Sequence, residues 1–193
     1  MDRWEISGRT LEYDDDTHTY LVDGIIVPSV TKLLAEKFNK KYANVDADTL
    51  RKAAERGTMI HKAIEDSCKY EDIELIPEVR DFRFLLKKYK YEVESNEIPV
   101  LFDLGGFTFA GRMDLVLKND SGYAVADIKT TAVLDKEYLG YQLNLYRIGL
   151  EQSHGIKADK LFGIHLRDGK RRMVEIPIKE EQWLVESLIS VEV

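Results

Sequence analysis

The sequence is poor in cysteine and has no long apolar run, and both absences restrict what the protein can be. Cys68 is the single cysteine among 193 residues, so the chain cannot form an internal disulfide. One cysteine also cannot hold an iron–sulfur cluster or a four-cysteine zinc site. No run of about 18 apolar residues occurs, and the N-terminus has no apolar signal core. We therefore expect a cytoplasmic protein that neither spans a membrane nor is secreted.

An excess of basic charge is also missing. The chain has 28 lysines and arginines against 35 aspartates and glutamates, which gives a formal net charge of -7. Proteins that hold nucleic acid by bulk electrostatics need excess lysine and arginine, so any such contact must come from local basic segments. Two are present, "KKYKY" at 87–91 and "RDGKRR" at 167–172. Each is also an ordinary pattern for a charged surface.

Internal repeats, low-complexity segments and linkers are absent as well. Hydrophobic residues make up 44% of the chain, which is enough to close one core. We expect a single domain over residues 1–193. It would consist of an N-terminal hairpin at 10–27, a central core at 46–168 and a C-terminal strand and helix at 169–193.

The spacing of apolar residues predicts the order of helices and strands. Helices are predicted at about 29–38, 46–68, 77–91 and 135–152 and from about Lys179, and strands at 92–102, 106–118, 122–130 and around "RDGK", after the 10–27 hairpin. In the longest helix, small or apolar residues at 50, 53, 54, 57, 60, 64 and 68 predict one buried face. The order includes a three-stranded antiparallel meander and predicts an α/β protein of the α+β type.

Two aspartates and a lysine on the meander form the best candidate for a chemical site. Asp114 stands in "GRMDLVL" and Asp127 in "VADIK", on strands that the turn "NDSG" makes adjacent partners. Because side chains alternate along a strand, Asp127 and Lys129 point to one face and Ile128 to the other. Two carboxylates with an open position suit a hard ion such as Mg²⁺. The lysine could orient or deprotonate a water, or stabilise charge on a phosphate.

Four motifs in one order carry a family resemblance. They are "RGTMIHKAIE", "GRMD", "ADIKT" and "YQLNLY", preceded by the lead-in "THTYLVDGIIVPSVTKLL", and the match that they carry covers roughly residues 10–168. The chain resembles the RecB-like exonuclease branch of the PD-(D/E)xK nuclease superfamily, and the lead-in is similar to that of phage-encoded members. The resemblance implies a restriction-endonuclease-like core, in which helices flank a central mixed sheet with an antiparallel meander. The N-terminal β-hairpin would be an appendage to this core.

The resemblance also implies a metal site. Asp114 and Asp127 would be metal ligands, with the backbone carbonyl of Ile128 as a third, and Lys129 would be the catalytic lysine. His61 would add an imidazole ligand from the earlier helix. The ion would be Mg²⁺ or Mn²⁺, and because imidazole suits transition ions, manganese should support activity at least as well as magnesium. Relatives that hold an iron–sulfur cluster use four cysteines, so we expect no such cluster here.

His61 and Glu65 each allow a second interpretation. A lone histidine on the apolar face of a helix is more often a satisfied core residue, but the accompanying motifs favour a ligand at His61. Glu65 follows one turn later on a similar face, where it could bind a second ion, hydrogen-bond a metal-bound water or support the lysine. A solvated helix glutamate is an equally good interpretation of Glu65.

Gln142 and Tyr146 form the Gln-x-x-x-Tyr pair of the branch, and the resemblance gives both a catalytic and substrate-binding role. The glutamine would help hold the lysine and the DNA backbone, and the tyrosine would contact a phosphate or stack with a base. Tyr146 fits the core equally well, because leucines share its stripe.

Arg112 and two glutamates complete the candidates. Arg112 could meet a phosphate of the substrate. Glu94 or Glu97 could supply a further acidic residue beside the metal, and the sequence does not choose between them. Because glutamates on an edge strand are commonly just solvated, that is the interpretation we favour for both.

Together these features predict a metal-dependent deoxyribonuclease that acts as an exonuclease in phage-type recombination, repair or DNA processing. A structure- or sequence-selective endonuclease would use the same residues, and a non-catalytic module that binds DNA ends or proteins could keep the same fold. No Gly-x-x-x-x-Gly-Lys loop is present, so a helicase would act in trans. The expected partner is DNA, with a recombinase, a single-strand-binding protein or that helicase as further candidates. No membrane partner is expected, and an oligomer is compatible with the sequence.

Overall fold

A computed structural model describes residues 1–38, 46–70 and 76–189. Its strands are β1 (Asp2–Ile6), β2 (Arg9–Asp14), β3 (Thr19–Val22), β4 (Ile25–Val27), β5 (Glu92–Leu104), β6 (Phe107–Asn119), β7 (Gly122–Lys129), β8 (Ala158–Arg167) and β9 (Lys170–Ile176). Its helices are α1 (Val30–Phe38), α2 (Ala47–Lys69), α3 (Pro77–Tyr89), α4 (Lys136–His154) and α5 (Glu181–Leu188). The last four residues of the predicted C-terminal segment lie outside the described residues.

The first four strands form an antiparallel sheet in the order β1-β2-β3-β4. The hairpin predicted at 10–27 is present, but it is extended by β1, which pairs with β2 from Asp2 opposite Tyr13 onward. The turn between β3 and β4 is formed by Asp23 and Gly24, at φ 51° and 81°. Positive φ at both central residues is what a tight hairpin turn requires, which explains the Asp-Gly pair.

The central sheet has the order β5-β6-β7-β8-β9. Strands β5, β6 and β7 form the predicted antiparallel meander, and β8 and β9 are antiparallel around Asp168 and Gly169. The pairing of β7 with β8 is parallel, so it needs a crossover, which α4 provides. The sheet is therefore mixed and flanked by helices, as expected for a restriction-endonuclease-like core.

Helices cover both faces of this sheet. One face packs on α1, α4 and α5, and the other packs on α2 and α3. Along β7, Val125 belongs to the first cluster while Ala126 and Ile128 belong to the second, as the alternation of side chains requires. A third cluster joins the N-terminal sheet to Leu101 and Ala110 of the central sheet.

Helix α2 departs from the sequence prediction in one respect. It begins as expected, because Asp46 caps it by accepting a hydrogen bond from the Thr49 amide at 3.0 Å. The buried face, however, is confined to Ile60 and Ile64, while every residue from 47 to 55 is exposed. The prediction of one buried face from residue 50 to residue 68 was wrong, since the sheet and α3 cover only the second half of the helix.

Within the described parts of the chain, no helix is long and apolar enough to cross a bilayer.

Candidate metal centre and active site

The pairing of β6 with β7 brings the two predicted aspartates to the same place. Leu115 faces Ala126 across the two strands, so Asp114 lies at the level of the next residue of β7, Asp127. The carboxylate of Asp114 accepts a hydrogen bond from the backbone amide of Ile128 at 2.8 Å through Oδ2. This bond fixes the Asp114 side chain against the end of β7.

Lys129 and Asp127 form a buried ion pair. Asp127 is only 2% exposed, and Lys129 Nζ lies 2.6 Å from its Oδ2. Burial raises the pKa of Asp127 to about 6, although the ammonium of Lys129 acts in the opposite direction. Burial alone would lower the pKa of Lys129, but the carboxylates of Asp127 and Asp114 raise it overall. The lysine is therefore an ammonium group, and it also lies 5.7 Å from the centre of the Tyr138 ring.

His61 reaches this point from α2. Its Nε2 lies 3.0 Å from the carbonyl oxygen of Ile128, and its Nδ1 lies 3.5 Å from Asp114 Oδ2. A carbonyl can only accept, so Nε2 carries a proton in this arrangement. The side chain is 30% exposed and lines an open cleft of about 390 Å³, so His61 is not enclosed in the core. We call this the metal cleft; it is lined by Gly57, Thr58, His61, Lys62, Glu65, Glu97 and Asp114.

Glu97 belongs to the site, and the expectation that it is a solvated edge residue was wrong. Its neighbours Asn96 and Ile98 pair with Leu115 and Met113, so Glu97 lies opposite Asp114. Ligand atoms of Glu97, Asp114 and His61 all lie within 4.8 Å of one another, and we call these residues the ligand trio. Burial, followed by the charge of Asp114, raises the pKa of Glu97 to about 7.

The backbone of Glu97 is unusual as well. Its φ is 49°, a left-handed conformation that is uncommon for glutamate and is often found at functional sites. By contrast Glu94 is exposed, and its nearest charged partner is Lys118 at 3.8 Å. The sequence did contain a signal that separates the two glutamates. The turn at Gly105 and Gly106 sets Leu104 opposite Phe107, and counting back from there puts residue 97 opposite Asp114.

Glu65 lines the metal cleft but is held by lysines. Lys62 Nζ lies 3.2 Å from Glu65 Oε2, and Lys69 bonds the other carboxylate oxygen. The hydrogen bond from Lys69 is the main cause that lowers the pKa of Glu65 below its usual value. Glu65 is thus an ionised residue at the rim of the cleft, outside the ligand trio.

Gln142 and Tyr146 lie under the site on α4. Both are buried, at 4% and 3% exposed, and the amide oxygen of Gln142 has no hydrogen-bond partner among the described residues. Tyr146 packs against β6, where a Cβ at Gly111 would lie 2.9 Å from its ring. Burial and the nearby Asp114 and Asp127 raise the pKa of Tyr146 well above its usual value. In this arrangement Tyr146 cannot stack with a base.

Arg112 is engaged with the N-terminal sheet. Its guanidinium lies 2.8 Å from the carboxylate of Asp2 and within about 5.5 Å of the centres of the Trp4 and Tyr13 rings. These contacts hold β1 and β2 against the strand that carries Asp114.

Strand β8 fixes the turn that follows Lys129. His165, which pairs with Lys129, donates from Nε2 to the carbonyl of Thr131 at 2.7 Å. Arg167, two residues further on the same face, donates to the carbonyl of Thr130 at 3.1 Å. Two consecutive carbonyls are thus held by alternate residues of one strand. The sequence reasoning missed His165 and noted Arg167 only as part of the basic segment "RDGKRR", because the parallel register that brings them there depends on the length of the α4 crossover.

The donor set fits a divalent ion. Bonds of about 2.1 Å that meet at right angles place neighbouring ligands of Mg²⁺ or Mn²⁺ about 3 Å apart. His61 Nε2 and the Ile128 carbonyl oxygen are 3.0 Å apart, a spacing that one ion could bridge once Nε2 has lost its proton. In addition, the buried carboxylate of Asp127, whose Oδ2 pairs with Lys129, adds a second acidic group beside these donors. Oxygen and imidazole donors that converge in this way suit Mg²⁺ or Mn²⁺.

Comparisons with known proteins concern the family and the fold of the chain. The family model that matches residues 78–189 is that of the PD-(D/E)XK nuclease superfamily. The crystal structure of SSO0001 is 17% identical over 84% of this chain and 72% of its own, with a TM-score of 0.48. That of a "Putative exonuclease" from Eubacterium rectale is 16% identical over 84% of this chain and 77% of its own, with a TM-score of 0.50, which indicates a shared fold. No curated protein matches the chain in sequence. Since the matched segment is more than half of the chain and contains Glu97, Asp114, Asp127 and Lys129, the chain belongs to the PD-(D/E)XK nuclease superfamily.

Proposed function

We propose that the protein is a metal-dependent deoxyribonuclease of the RecB-like branch that acts as an exonuclease in phage-type recombination, repair or DNA processing. The observation that carries this proposal is the convergence of the ligand trio with the Asp127 and Lys129 ion pair at one end of β7. A recombinase, a single-strand-binding protein or a helicase in trans would fit such a role, because the sequence has no nucleotide-binding loop of its own.

The residues that would hold the ion are His61, Glu97, Asp114 and Asp127, with the carbonyl of Ile128. A bound Mg²⁺ or Mn²⁺ would polarise the scissile phosphate and make its bound water more acidic. The Lys129 ammonium can donate to the attacking water or to a phosphate oxygen on which charge develops. Asp127 keeps that ammonium in place, and the buried environment strengthens the interaction.

The supporting residues have proposed roles that follow from their contacts. Gln142 lies buried beneath the site and positions the polar side chains above it. Tyr146 positions α4 against β6. Glu65, at the rim of the cleft, binds a second ion, hydrogen-bonds a metal-bound water or supports the lysine. Arg112 would contact a phosphate only after release from Asp2, so its observed contacts favour a role in holding the N-terminal sheet.

A cleavage assay tests the proposal. Labelled linear single- and double-stranded DNA and covalently closed circular DNA are incubated with Mg²⁺, Mn²⁺ or EDTA. The wild type is compared with Lys129→Ala and with Lys118→Ala, which removes an exposed lysine of the neighbouring strand. We expect linear DNA to be degraded with either ion, circular DNA to remain intact, and Lys129→Ala to be at least about 100-fold slower.

The other outcomes identify the alternatives. Cutting of closed circular DNA would show an endonuclease. DNA binding without cleavage in any ion would show a non-catalytic module. An equal loss of cleavage activity in Lys129→Ala and Lys118→Ala would show that Lys129 has no special role.

A further inference from the structure

A second, basic cavity lies beside the metal cleft. It measures about 250 Å³ and is lined by Thr49, Lys52, Ala53, Arg56, Thr130 and Arg167. We call it the basic pocket. Three of its six lining residues are cationic and none is acidic, whereas the metal cleft carries three acidic residues. A pocket with this lining suits an anion.

Of the three cations of the pocket, Lys52 and Arg56 keep hydrogen-bonding capacity that the described protein groups do not use, whereas Arg167 donates to Asp168 and to the Thr130 carbonyl. Glu78 and Asp168 lie 2.8 and 3.6 Å from Arg56 Nη2, while Nη1 is buried and has no hydrogen-bond partner among the described residues. Lys52 is exposed and has no ion pair with any described residue. The Thr130 hydroxyl adds a further donor, whereas the Thr49 hydroxyl already donates to Asp46 at 3.2 Å. Lysine, arginine and hydroxyl donors around one cavity are the usual ligands of phosphate.

The position of the basic pocket relates it to the chemistry of the metal cleft. Thr130 directly follows Lys129, so the pocket begins one residue beyond the catalytic lysine. On α2 the pocket ends at Arg56 and the metal cleft begins at Gly57. From Arg56 to His61 the helix rises about 7.5 Å, so the two cavities are close enough for one DNA strand to contact both.

We propose that the basic pocket binds a phosphate of the DNA strand that is cleaved, next to the phosphodiester at the metal cleft. This inference rests on the proposed nuclease function, since it assigns a subsite to the same substrate. The phosphate can be a terminal one or an internal one, because both present the same oxygens. The exposed first half of α2, which packs on no described core residue, thereby acquires a role as the wall that carries Lys52 and Arg56.

Binding in EDTA tests the pocket without any cleavage. Short fluorescein-labelled oligonucleotides that end in a 5′-phosphate, a 3′-phosphate or only hydroxyl groups are titrated with wild type, Lys52→Gln, Arg56→Gln and Arg51→Gln. Arg51 is the matched control, because it is exposed on the same helix, pairs with Asp48 and Glu55, and does not line the pocket. We expect Lys52→Gln and Arg56→Gln to bind about tenfold more weakly and to lower the salt slope by about one unit. Arg51→Gln should stay within about twofold of the wild type.

The oligonucleotide ends distinguish the two sources of phosphate. If the pocket variants lose affinity for only one end-phosphorylated oligonucleotide, the pocket binds a terminal phosphate. If they lose affinity equally for all three oligonucleotides, it binds an internal phosphate. If Lys52→Gln keeps the affinity and salt slope of Arg51→Gln, the proposal is wrong, and this result does not depend on the folding of Arg56→Gln. A wild type that binds DNA through the pocket but never cleaves would overturn the proposed nuclease function and leave the pocket standing.

Discussion

At the scale of single residues, Glu97 is the group whose environment departs most from what its sequence context suggests. Burial and the facing Asp114 raise its pKa from 4.5 to about 7. A raised carboxyl pKa means that the folded state holds the proton more tightly than the unfolded chain. Glu97 therefore contributes stability that is complete below about pH 4.5 and is lost as the pH rises through about 7.

Replacing Glu97 by glutamine should remove that pH dependence. In metal-free buffer, the free energy of unfolding of Glu97→Gln relative to wild type should increase from pH 4.5 to pH 7 and then level off. Urea titrations across this range in EDTA measure it, with Glu94→Gln as the control because Glu94 is exposed on the same strand. If the free energies of unfolding of wild type and Glu97→Gln change with pH in parallel, the environment assigned to Glu97 is wrong.

His61 should determine which metal is preferred. Because imidazole is a better ligand for Mn²⁺ than for Mg²⁺, His61→Asn should weaken Mn²⁺ binding at least about tenfold and Mg²⁺ binding less. Isothermal titration with both ions measures the ratio, and His154→Asn, on an exposed part of α4, is the control. An unchanged Mn²⁺ affinity would assign His61 to the hydrogen bond with Ile128 alone.

At the scale of elements, the close approach of α4 to β6 sets the depth of the site. A methyl group at Gly111 would lie 2.9 Å from the Tyr146 ring, while one at Gly140 on α4 would meet nothing within 4 Å. We expect Gly111→Ala to lower the free energy of unfolding by about 1–3 kcal/mol, and Gly140→Ala to raise it by up to about 1 kcal/mol. Urea denaturation of both variants measures this, and a neutral Gly111→Ala would mean that α4 moves away easily.

The elements also show how far the sequence could predict the structure. Local signals located the helices and the meander, since caps such as Asp46 and Asp135 and turns such as Asp168 and Gly169 act within a few residues. The strand β1 was missed because its pairing with β2 is not encoded in its five residues alone. Burial of α2 was overestimated, because apolar spacing shows which face could be buried and not what covers it.

The same distinction holds for the site. Asp114, Asp127 and Lys129 could be predicted because a short turn joins their strands and fixes the register. Glu97 depended on a longer count back along β5 from the turn at Gly105 and Gly106. Contacts that cross from α2 or β8, such as those of Arg56 and Arg167, depend on tertiary packing and could not be found from local patterns.

At the scale of the whole molecule, the N-terminal sheet should unfold together with the central core as one domain. Leu11 is fully buried in a cluster that includes Leu101 and Ala110 of the central sheet. We expect a single calorimetric transition, with Leu11→Ala lowering the free energy of the whole unfolding by about 3 kcal/mol. Two resolved transitions, of which Leu11→Ala shifts only one, would show that the N-terminal sheet is a separate unit.

The proposed function depends on a divalent metal site at the end of β7. A crystal grown with Mn²⁺ and measured for anomalous scattering tests it most directly. We predict one strong anomalous peak from a Mn²⁺ ion that is bound by His61, Asp114 and the carbonyl of Ile128, with Glu97 and Asp127 beside it. No peak there at saturating Mn²⁺, or a peak held by other residues in a protein that cleaves DNA, would contradict the account.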